Sequence, residues 1–258
     1  MTGPYNPIGT KCLLRLLNEG LAPLYVIFLS NNLGPGRILS YFRKGLRKFF
    51  EKFLESFTNE TRILTRKYIN SLIKLEQYRS IREILVDYPI PVIKVRSVND
   101  ERFINFVSGL SIDLIITSSF REILRRQIIE IPSIGCINIH ASLLPRYRGS
   151  DPIFWVLYNQ EAQTGISIHE ITPKIDAGRI LVQNSLPINF SDDENTLREK
   201  LGRIAANELV NLLKNGRIKK LDPVQQKEDI SSYHGEPTNK HRKELLKRKK
   251  KNNRWGLV

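Results

Sequence analysis

Short apolar runs alternate along this chain with longer segments of helical period, and this alternation constrains the fold more than any other feature. The run at residues 24–29, LYVIFL, is continuously apolar, which is typical of a buried parallel strand, and residues 113–117, DLIIT, are also predicted as a buried strand. Further strands are predicted at residues 91–95, 135–140, 165–171 and 179–188, and helices at residues 8–19, 62–86, 100–109, 120–129, 151–160 and 192–215. The alternation predicts an α/β fold with a doubly wound, mostly parallel, Rossmann-like sheet. Ligand-binding loops are then expected at the carboxyl ends of the strands.

The positive charge of the chain is concentrated in two segments. Of the net charge of +15, residues 36–67 contribute nine Lys or Arg against three Glu, which is +6, and residues 238–258 contribute nine against one, which is +8. The remainder is close to neutral. We therefore expect a main domain over residues 1–220 with a basic helical insertion at about 36–86, followed by a basic C-terminal extension over residues 221–258.

Basic segments of this kind favour a polyanionic partner, either RNA or an anionic membrane surface, although a solvated face or tail explains each of them equally well. Residues 38–57 have the period of an amphipathic helix with a basic face, and packing against the main domain is our first expectation for it. No apolar run approaches the roughly 20 residues of a membrane-spanning helix, and the first residues do not resemble a signal peptide. Cys12 and Cys136 lack metal-ligand spacing and fit buried thiols in a reducing cytoplasm, so no metal is expected.

The stretch at residues 135–149, GCINIHASLLPRYRG, concentrates more polar chemistry than any other. Because side chains alternate along a strand, Asn138 and His140 are expected on one face and the intervening isoleucines on the other. Such a pair suits either an active site at the end of a strand or a structural role in which the two side chains satisfy their hydrogen bonds at the strand terminus. His169 lies inside another alternating strand, where a structural role is favoured. Asp176 differs, because an acid in a Gly-flanked loop between two strands contributes little to packing.

Several motifs in order resemble the folate-dependent formyltransferase family: the N-I-H of residues 138–140, the loop at residues 142–149, G-I-S-I-H at residues 165–169 and D-A-G at residues 176–178. That family includes methionyl-tRNA, glycinamide ribonucleotide and nucleotide-amino-sugar formyltransferases, besides formyltetrahydrofolate hydrolases. The resemblance is strong from about residue 113 to residue 183 and faint elsewhere.

The resemblance implies that Asn138, His140 and Asp176 are catalytic and that 10-formyltetrahydrofolate is the formyl donor. The chemistry of the three side chains agrees with this implication. When an amine attacks a formyl carbon, the formyl oxygen becomes negative and needs hydrogen-bond donors, which Asn138 and His140 can supply. A carboxylate at Asp176 can hold His140 in the required tautomer and relay protons through it or a water.

The resemblance also places the folate. The pterin is expected against a set of apolar and loop residues, namely Phe120, Ile123, Leu124, Thr172, Pro173 and Ile175. Phe120, Ile123 and Leu124 are equally explained as core, because their spacing is helical. The loop after His140 is expected to contact the amine acceptor through Ser142, Arg146 and Arg148.

The prediction of the amine acceptor rests on the charge of the chain, because no motif identifies the acceptor. Methionyl-tRNA is our leading acceptor, because the two basic segments can neutralise phosphates. Against it, the residues after position 221 leave no room for the C-terminal barrel of methionyl-tRNA formyltransferases, and the opening strand and phosphate-gripping loop of glycinamide ribonucleotide enzymes are not recognisable. The alternatives are a small amine, such as a nucleotide amino sugar or glycinamide ribonucleotide, hydrolysis of the folate, and a non-catalytic RNA- or membrane-binding module.

Overall fold

The computed structural model describes residues 6–21, 23, 25–29, 81–88 and 90–254. The elements in chain order are α1 (Pro7–Asn18), β1 (Val26–Leu29), α2 (Ile81–Asp87), β2 (Val92–Val95), α3 (Glu101–Ser108), β3 (Leu114–Ser118), α4 (Arg126–Ile129), β4 (Gly135–His140), β5 (Arg148–Gly149), α5 (Pro152–Tyr158), β6 (Gln163–Glu170), β7 (Ile180–Pro187), α6 (Glu194–Leu213), β8 (Tyr233–His234) and α7 (Asn239–Arg254). Two short 3-10 helices, Lys214–Lys220 and Glu228–Ile230, follow α6. Apart from α2, the predicted basic insertion at 36–86 lies outside the described residues.

Helices α1 and α6 form within one to two residues of their predicted limits because both have clear start signals. The Asn6 side chain accepts a hydrogen bond from the Gly9 N–H at 2.9 Å, with Pro7 at the first helical position. Asp193 and Thr196 form a reciprocal capping box at the start of α6. The two helices pack along each other, and their buried faces are apolar.

The strands form a mixed arrangement around this core. The parallel pair β1–β2 stands apart from a four-stranded sheet of order β3-β4-β6-β7. In the larger sheet β3 and β4 are parallel, whereas β6 and β7 add antiparallel. The α/β class and Rossmann-like pattern are confirmed. The four-stranded sheet also contains two antiparallel pairs, β4–β6 and β6–β7, and the short connection between β6 and β7 can join only antiparallel neighbours.

The helix predicted over residues 120–129 is confirmed only for α4, at its end. The carboxylate of Glu122 accepts hydrogen bonds from the Val98 N–H at 3.0 Å and from Asn99 Nδ2 at 2.9 Å. The N–H of Arg125 is bonded to Asn99 Oδ1 at 2.8 Å. Asn99 thus binds the Arg125 N–H, which a helix over these residues would direct to one of its own carbonyls, so residues 120–125 keep an irregular path.

The segment after residue 221 packs on the main domain. Val224 forms an isolated antiparallel bridge with Ile180, and β8 pairs in parallel with β5. Trp155 of α5 donates from Nε1 to the Gly235 carbonyl at 2.9 Å. The described part of the C-terminal extension is thereby held next to the loop that follows β4.

Candidate active site

Three strands bring a row of polar side chains together on one face of the sheet. Asn138 on β4 is in register with Thr117 on β3 and with His169 on β6. Ile137 and Ile139 are buried on the opposite face, in the core that contains α1 and α6. The predicted alternation along β4 is therefore confirmed, and Asn138 is flanked by a polar neighbour on each side.

The orientation of the Asn138 amide is determined by these neighbours. Thr117 Oγ1 donates to Asn138 Oδ1 at 2.8 Å, which assigns the carbonyl to β3 and the NH2 group to the other side. There Nδ2 lies 3.2 Å from His169 Nε2 and 3.4 Å from Asp176 Oδ1. Nδ2 therefore has two possible acceptors in this direction, and its two hydrogens can be divided between them.

Asp176 lies where the loop between β6 and β7 returns to the sheet. Its φ of 47° is in the left-handed region, which a short Asp side chain tolerates better than most residues. The Gln226 amide donates to the carbonyls of Asp176 and Gly178, at 2.9 and 2.7 Å. A Cβ at Gly178 would collide with the Glu170 carbonyl, so glycine is required for this close approach.

The Asp176 carboxylate is shared by two imidazoles and one backbone amide. Oδ2 accepts from the Gly149 N–H at 2.8 Å and lies 3.5 Å from His140 Nδ1, while Oδ1 lies 3.5 Å from His169 Nε2. Burial by itself would raise the pKa of Asp176. The charge of His140, the hydrogen bond and charge of His169 and the Gly149 N–H outweigh burial, and they hold the pKa well below its usual range.

On each imidazole ring, a hydrogen bond to a backbone carbonyl identifies one nitrogen that carries a hydrogen. His140 Nε2 is 2.7 Å from the Tyr147 carbonyl and His169 Nδ1 is 2.8 Å from the Glu170 carbonyl. Because a carbonyl only accepts, these two nitrogens carry hydrogens. The remaining nitrogens, which face Asp176, can each be bare or protonated. The site can therefore hold or release a proton beside a fixed negative charge.

The structure does not expose two of the three residues expected at the acceptor. Ser142 is fully buried and donates to the Arg146 carbonyl at 3.0 Å. Arg148 is buried, and its guanidinium donates to Gln226 Oε1 at 2.8 and 3.1 Å and to Glu228. Both side chains support the loop from within. Arg146 reaches solvent and is paired with Glu161.

The residues expected at the folate divide into two groups. Leu124 is buried, and Phe120 packs against the same apolar cluster, so both belong to the core. Ile123 and Ile175 project into solvent, with 53% and 37% of their surfaces exposed.

The two remaining residues of that set lie in the loop that leads to Asp176. Pro173 is exposed there, and Thr172 closes a turn by donating to the Lys174 carbonyl at 3.0 Å.

Four residues near the site were not predicted from sequence. His169 was assigned a structural role, yet it contacts both Asn138 and Asp176. Thr117 and Gln226 orient site residues from distant parts of the chain. Thr117 can be identified only from the pairing of β3 with β4, which places it opposite Asn138. Tyr233 is 61% exposed, and a Cβ on Gly149 would lie 2.8 Å from its Cε2 atom. Its ring is therefore next to the backbone that binds Asp176.

Neither a metal centre nor a membrane span is found in the part of the chain that the structure describes. No three acidic, histidine or cysteine side chains there converge in the manner of metal ligands. No helix there combines the length and the apolar character needed to cross a bilayer.

Comparison with known proteins gives a consistent set of relatives. The family model described as formyl transferase matches residues 64–213. Methionyl-tRNA formyltransferase of Kosmotoga olearia is 38% identical over 142 residues, which are 54% of this chain and 46% of that protein. This chain spans between 24% and 51% of the lengths of the first curated relatives that it matches.

Solved structures of similar fold include two sugar-related enzymes. A sugar N-formyltransferase from Shewanella sp FDAARGOS_354 has a TM-score of 0.60 at 15% identity, covering 95% of this chain and 85% of that one. The formyltransferase PseJ from Anoxybacillus kamchatkensis, in complex with UDP-4,6-dideoxy-4-formamido-L-AltNAc and tetrahydrofolate, has a TM-score of 0.50 at 25% identity, covering 65% of this chain and 84% of that one. The first of these supports the assignment of the fold alone.

Proposed function

This chain belongs to the formyl transferase family, and from that premise we propose that it transfers a formyl group from 10-formyltetrahydrofolate to a primary amine. One observation carries the proposal: the Asp176 carboxylate lies 3.5 Å from a ring nitrogen of both His140 and His169, with the Asn138 amide beside it. This arrangement combines a hydrogen-bond donor, a proton carrier and a fixed negative charge.

The exposed apolar side chains and the loop backbone near the site suit a reduced folate that carries a formyl group. Ile123 and Ile175 expose apolar surface that a planar pterin would cover. Pro173 and Thr172 lie in the loop that leads to Asp176, so its backbone groups are available to the polar edge of the ring. The structure of PseJ with tetrahydrofolate supports the same class of donor.

The roles of the site residues follow from their bonds. As the amine nitrogen bonds to the formyl carbon, negative charge develops on the formyl oxygen, and Asn138 stabilises it when one amide hydrogen turns from His169 or Asp176 to that oxygen. The amine loses one proton and the departing folate nitrogen gains one, so no net proton is consumed. Because His140 Nε2–H is bonded to the Tyr147 carbonyl, Nδ1 beside Asp176 is the atom that takes and returns this proton.

Methionyl-tRNA is the acceptor that we propose first. Curated methionyl-tRNA formyltransferases are 32% to 38% identical to this chain over their matched regions. Exposed Lys240, Lys243 and Lys247 lie along α7 at spacings of three and four residues and thus on one face of the helix. Such a row suits a phosphate backbone.

A small amine on a nucleotide sugar is the second candidate. The complex of PseJ with a UDP-linked formamido sugar and tetrahydrofolate favours it. Hydrolysis of the donor would use the same site without an amine.

One screen separates these outcomes: purified full chain is given 10-formyltetrahydrofolate with methionyl-tRNA, glycinamide ribonucleotide, a nucleotide amino sugar or no amine. Loss of the formyl donor is followed at two salt concentrations. We expect turnover with methionyl-tRNA whose KM rises steeply with salt. Turnover with the amino sugar alone would transfer the assignment to the second candidate, and equal turnover without any amine would identify a hydrolase.

Two charge variants test the role of α7. In the first, Lys240→Gln, Lys243→Gln and Lys247→Gln together should raise the KM for tRNA about tenfold or more, because three phosphate contacts are lost. The matched control, Arg102→Gln, Arg203→Gln and Lys220→Gln, removes the same charge from dispersed exposed positions. An equal effect of both variants would contradict a tRNA contact on α7.

A further inference from the structure

His140 has a hydrogen-bond acceptor on each side of its ring. Nε2 lies 2.7 Å from the Tyr147 carbonyl, and Nδ1 lies 3.5 Å from Asp176 Oδ2. A neutral imidazole carries only one hydrogen, so it can donate to one of these acceptors and not to both. With the hydrogen on Nε2, Nδ1 is free to accept a proton, whereas with the hydrogen on Nδ1 the ring has no base beside Asp176. The position of the Tyr147 carbonyl therefore determines whether Nδ1 is available.

Tyr147 presents this carbonyl from an unfavourable backbone conformation. Its φ of 62° lies in the left-handed region, which costs a bulky residue free energy and persists only where neighbouring groups hold it. The side chain is held well, because its hydroxyl donates to Glu161 Oε1 at 2.5 Å and its ring stacks on His234 with ring centres 5.0 Å apart. The backbone needs contacts of its own, since a fixed ring does not fix the direction of the carbonyl.

Ser232 supplies those backbone contacts from the segment that precedes β8. Its Oγ accepts from the Tyr147 N–H at 2.8 Å, and its carbonyl accepts from the Arg148 N–H at 2.9 Å. These two N–H groups belong to the peptide groups on either side of the Tyr147 Cα, so Ser232 holds both peptide planes. Two fixed peptide planes determine φ and ψ of the residue between them, and thus the direction in which the Tyr147 carbonyl points.

The same short strand also supports the other side of the His140 ring. The Ser150 N–H donates to the His234 carbonyl at 2.8 Å, which holds β5 against β8. The Gly149 N–H donates instead to Asp176 Oδ2, also at 2.8 Å. Residues 232–234 therefore position both of the acceptors that compete for the hydrogen of His140.

We propose that Ser232 is a positioning residue for formyl transfer, an inference that rests on the function proposed above. Its Oγ holds the Tyr147 backbone in the left-handed conformation, and the Tyr147 carbonyl then keeps the hydrogen of His140 on Nε2. Nδ1 is thereby left bare to take the proton of the amine. Asp176 alone would favour the opposite arrangement, because its carboxylate attracts the same hydrogen to Nδ1. After Nδ1 has taken the proton, both acceptors are satisfied and the positive ring is stabilised from both sides.

The test measures the tautomer of His140 directly, by nitrogen NMR of the isotope-labelled full chain without substrate. The chain has four histidines, and the spectrum of His140→Asn assigns the signal. In the original protein we expect the hydrogen of the neutral ring on Nε2. Ser232→Ala should shift the ratio of the two tautomers toward the Nδ1–H form by about tenfold, because the Tyr147 N–H loses its acceptor. In assays, kcat should fall in proportion to the remaining Nε2–H fraction, while the KM for the donor stays unchanged.

Three further variants make the comparison specific. Ser231→Ala removes the neighbouring hydroxyl, which donates to the Glu228 carbonyl at 2.8 Å, and it should change neither the tautomer nor kcat. Ser232→Thr keeps the hydroxyl and should retain both the tautomer and kcat. Ser232→Cys supplies a weaker acceptor and should give an intermediate shift, which decides the matter even if Ser232→Ala does not fold.

Two results would overturn the proposal. The first is an unchanged His140 tautomer in the folded Ala and Cys variants of Ser232, and a fall in kcat without that change would show that Ser232 only supports the fold. The second is an equal tautomer shift in Ser231→Ala. Absence of formyl transfer by the original protein would instead contradict the proposed function, and the tautomer spectra would still decide whether Ser232 controls His140.

Discussion

Replacing Asp176 with Asn is the most direct test of the proposed chemistry. The substitution keeps the size of the side chain and an acceptor for the Gly149 N–H, but it removes the charge 3.5 Å from both His140 and His169. At an effective dielectric constant of about 20, two unit charges at this separation attract by roughly 5 kcal/mol. If His140 is positive in the transition state, the loss corresponds to a decrease in kcat of about 10³-fold.

The assay measures initial consumption of 10-formyltetrahydrofolate with saturating acceptor, together with Tm. The matched control is Asp222→Asn, which makes the same charge change at an exposed position and should leave kcat unaffected. The low pKa of Asp176 means that its carboxylate stabilises the fold above its unfolded pKa and loses this effect as pH falls through the folded value. Asp176→Asn should thus flatten the acid side of the stability curve. A folded variant that retains kcat within tenfold of the original would refute the reasoning.

Further predictions concern the surroundings of the site. Thr117→Val should lower kcat about tenfold, because the bond that orients the amide on β4 is lost, whereas Thr117→Ser should retain activity. Gln226→Leu should lower the free energy of unfolding by about 3 kcal/mol in urea titrations, since it leaves buried partners unsatisfied, whereas the exposed Gln225→Leu should not. Burial lowers the pKa of His234, so folding disfavours its protonation. Stability should fall as pH drops below the ordinary histidine pKa, and His234→Phe should remove this slope in thermal melts.

Much of the fold could be predicted because it depends on local patterns. Helix α1 has a proline at its first position and an Asn cap, and the buried Ile137 and Ile139 of β4 follow the apolar pattern of the sequence. The polar pair on β4 follows from the period of a strand, which is the same in every sheet. The segment at residues 120–125 was predicted incorrectly, because Glu122 and Asn99 form bonds there that no local pattern reveals.

The candidate site was only partly predictable. Asn138, His140 and Asp176 could be selected because their residue types and motif spacing are unusual for packing. His169 could not be distinguished from a core histidine, since its role depends on strand pairing across β4 and β6. Ser142 and Arg148 resemble surface groups in sequence, and only the folded loop buries them.

The sequence by itself determined the α/β class, the position of the polar strand and the identity of three chemically special side chains, because all of these depend on residues close together in the chain. Tertiary structure alone decided that one carboxylate is shared by two imidazoles and that Gln226 binds the loop of Asp176. These features join residues from distant parts of the chain. Contacts of this kind depend on how strands and helices pack, and the periodicity of apolar and polar residues along the chain does not predict them.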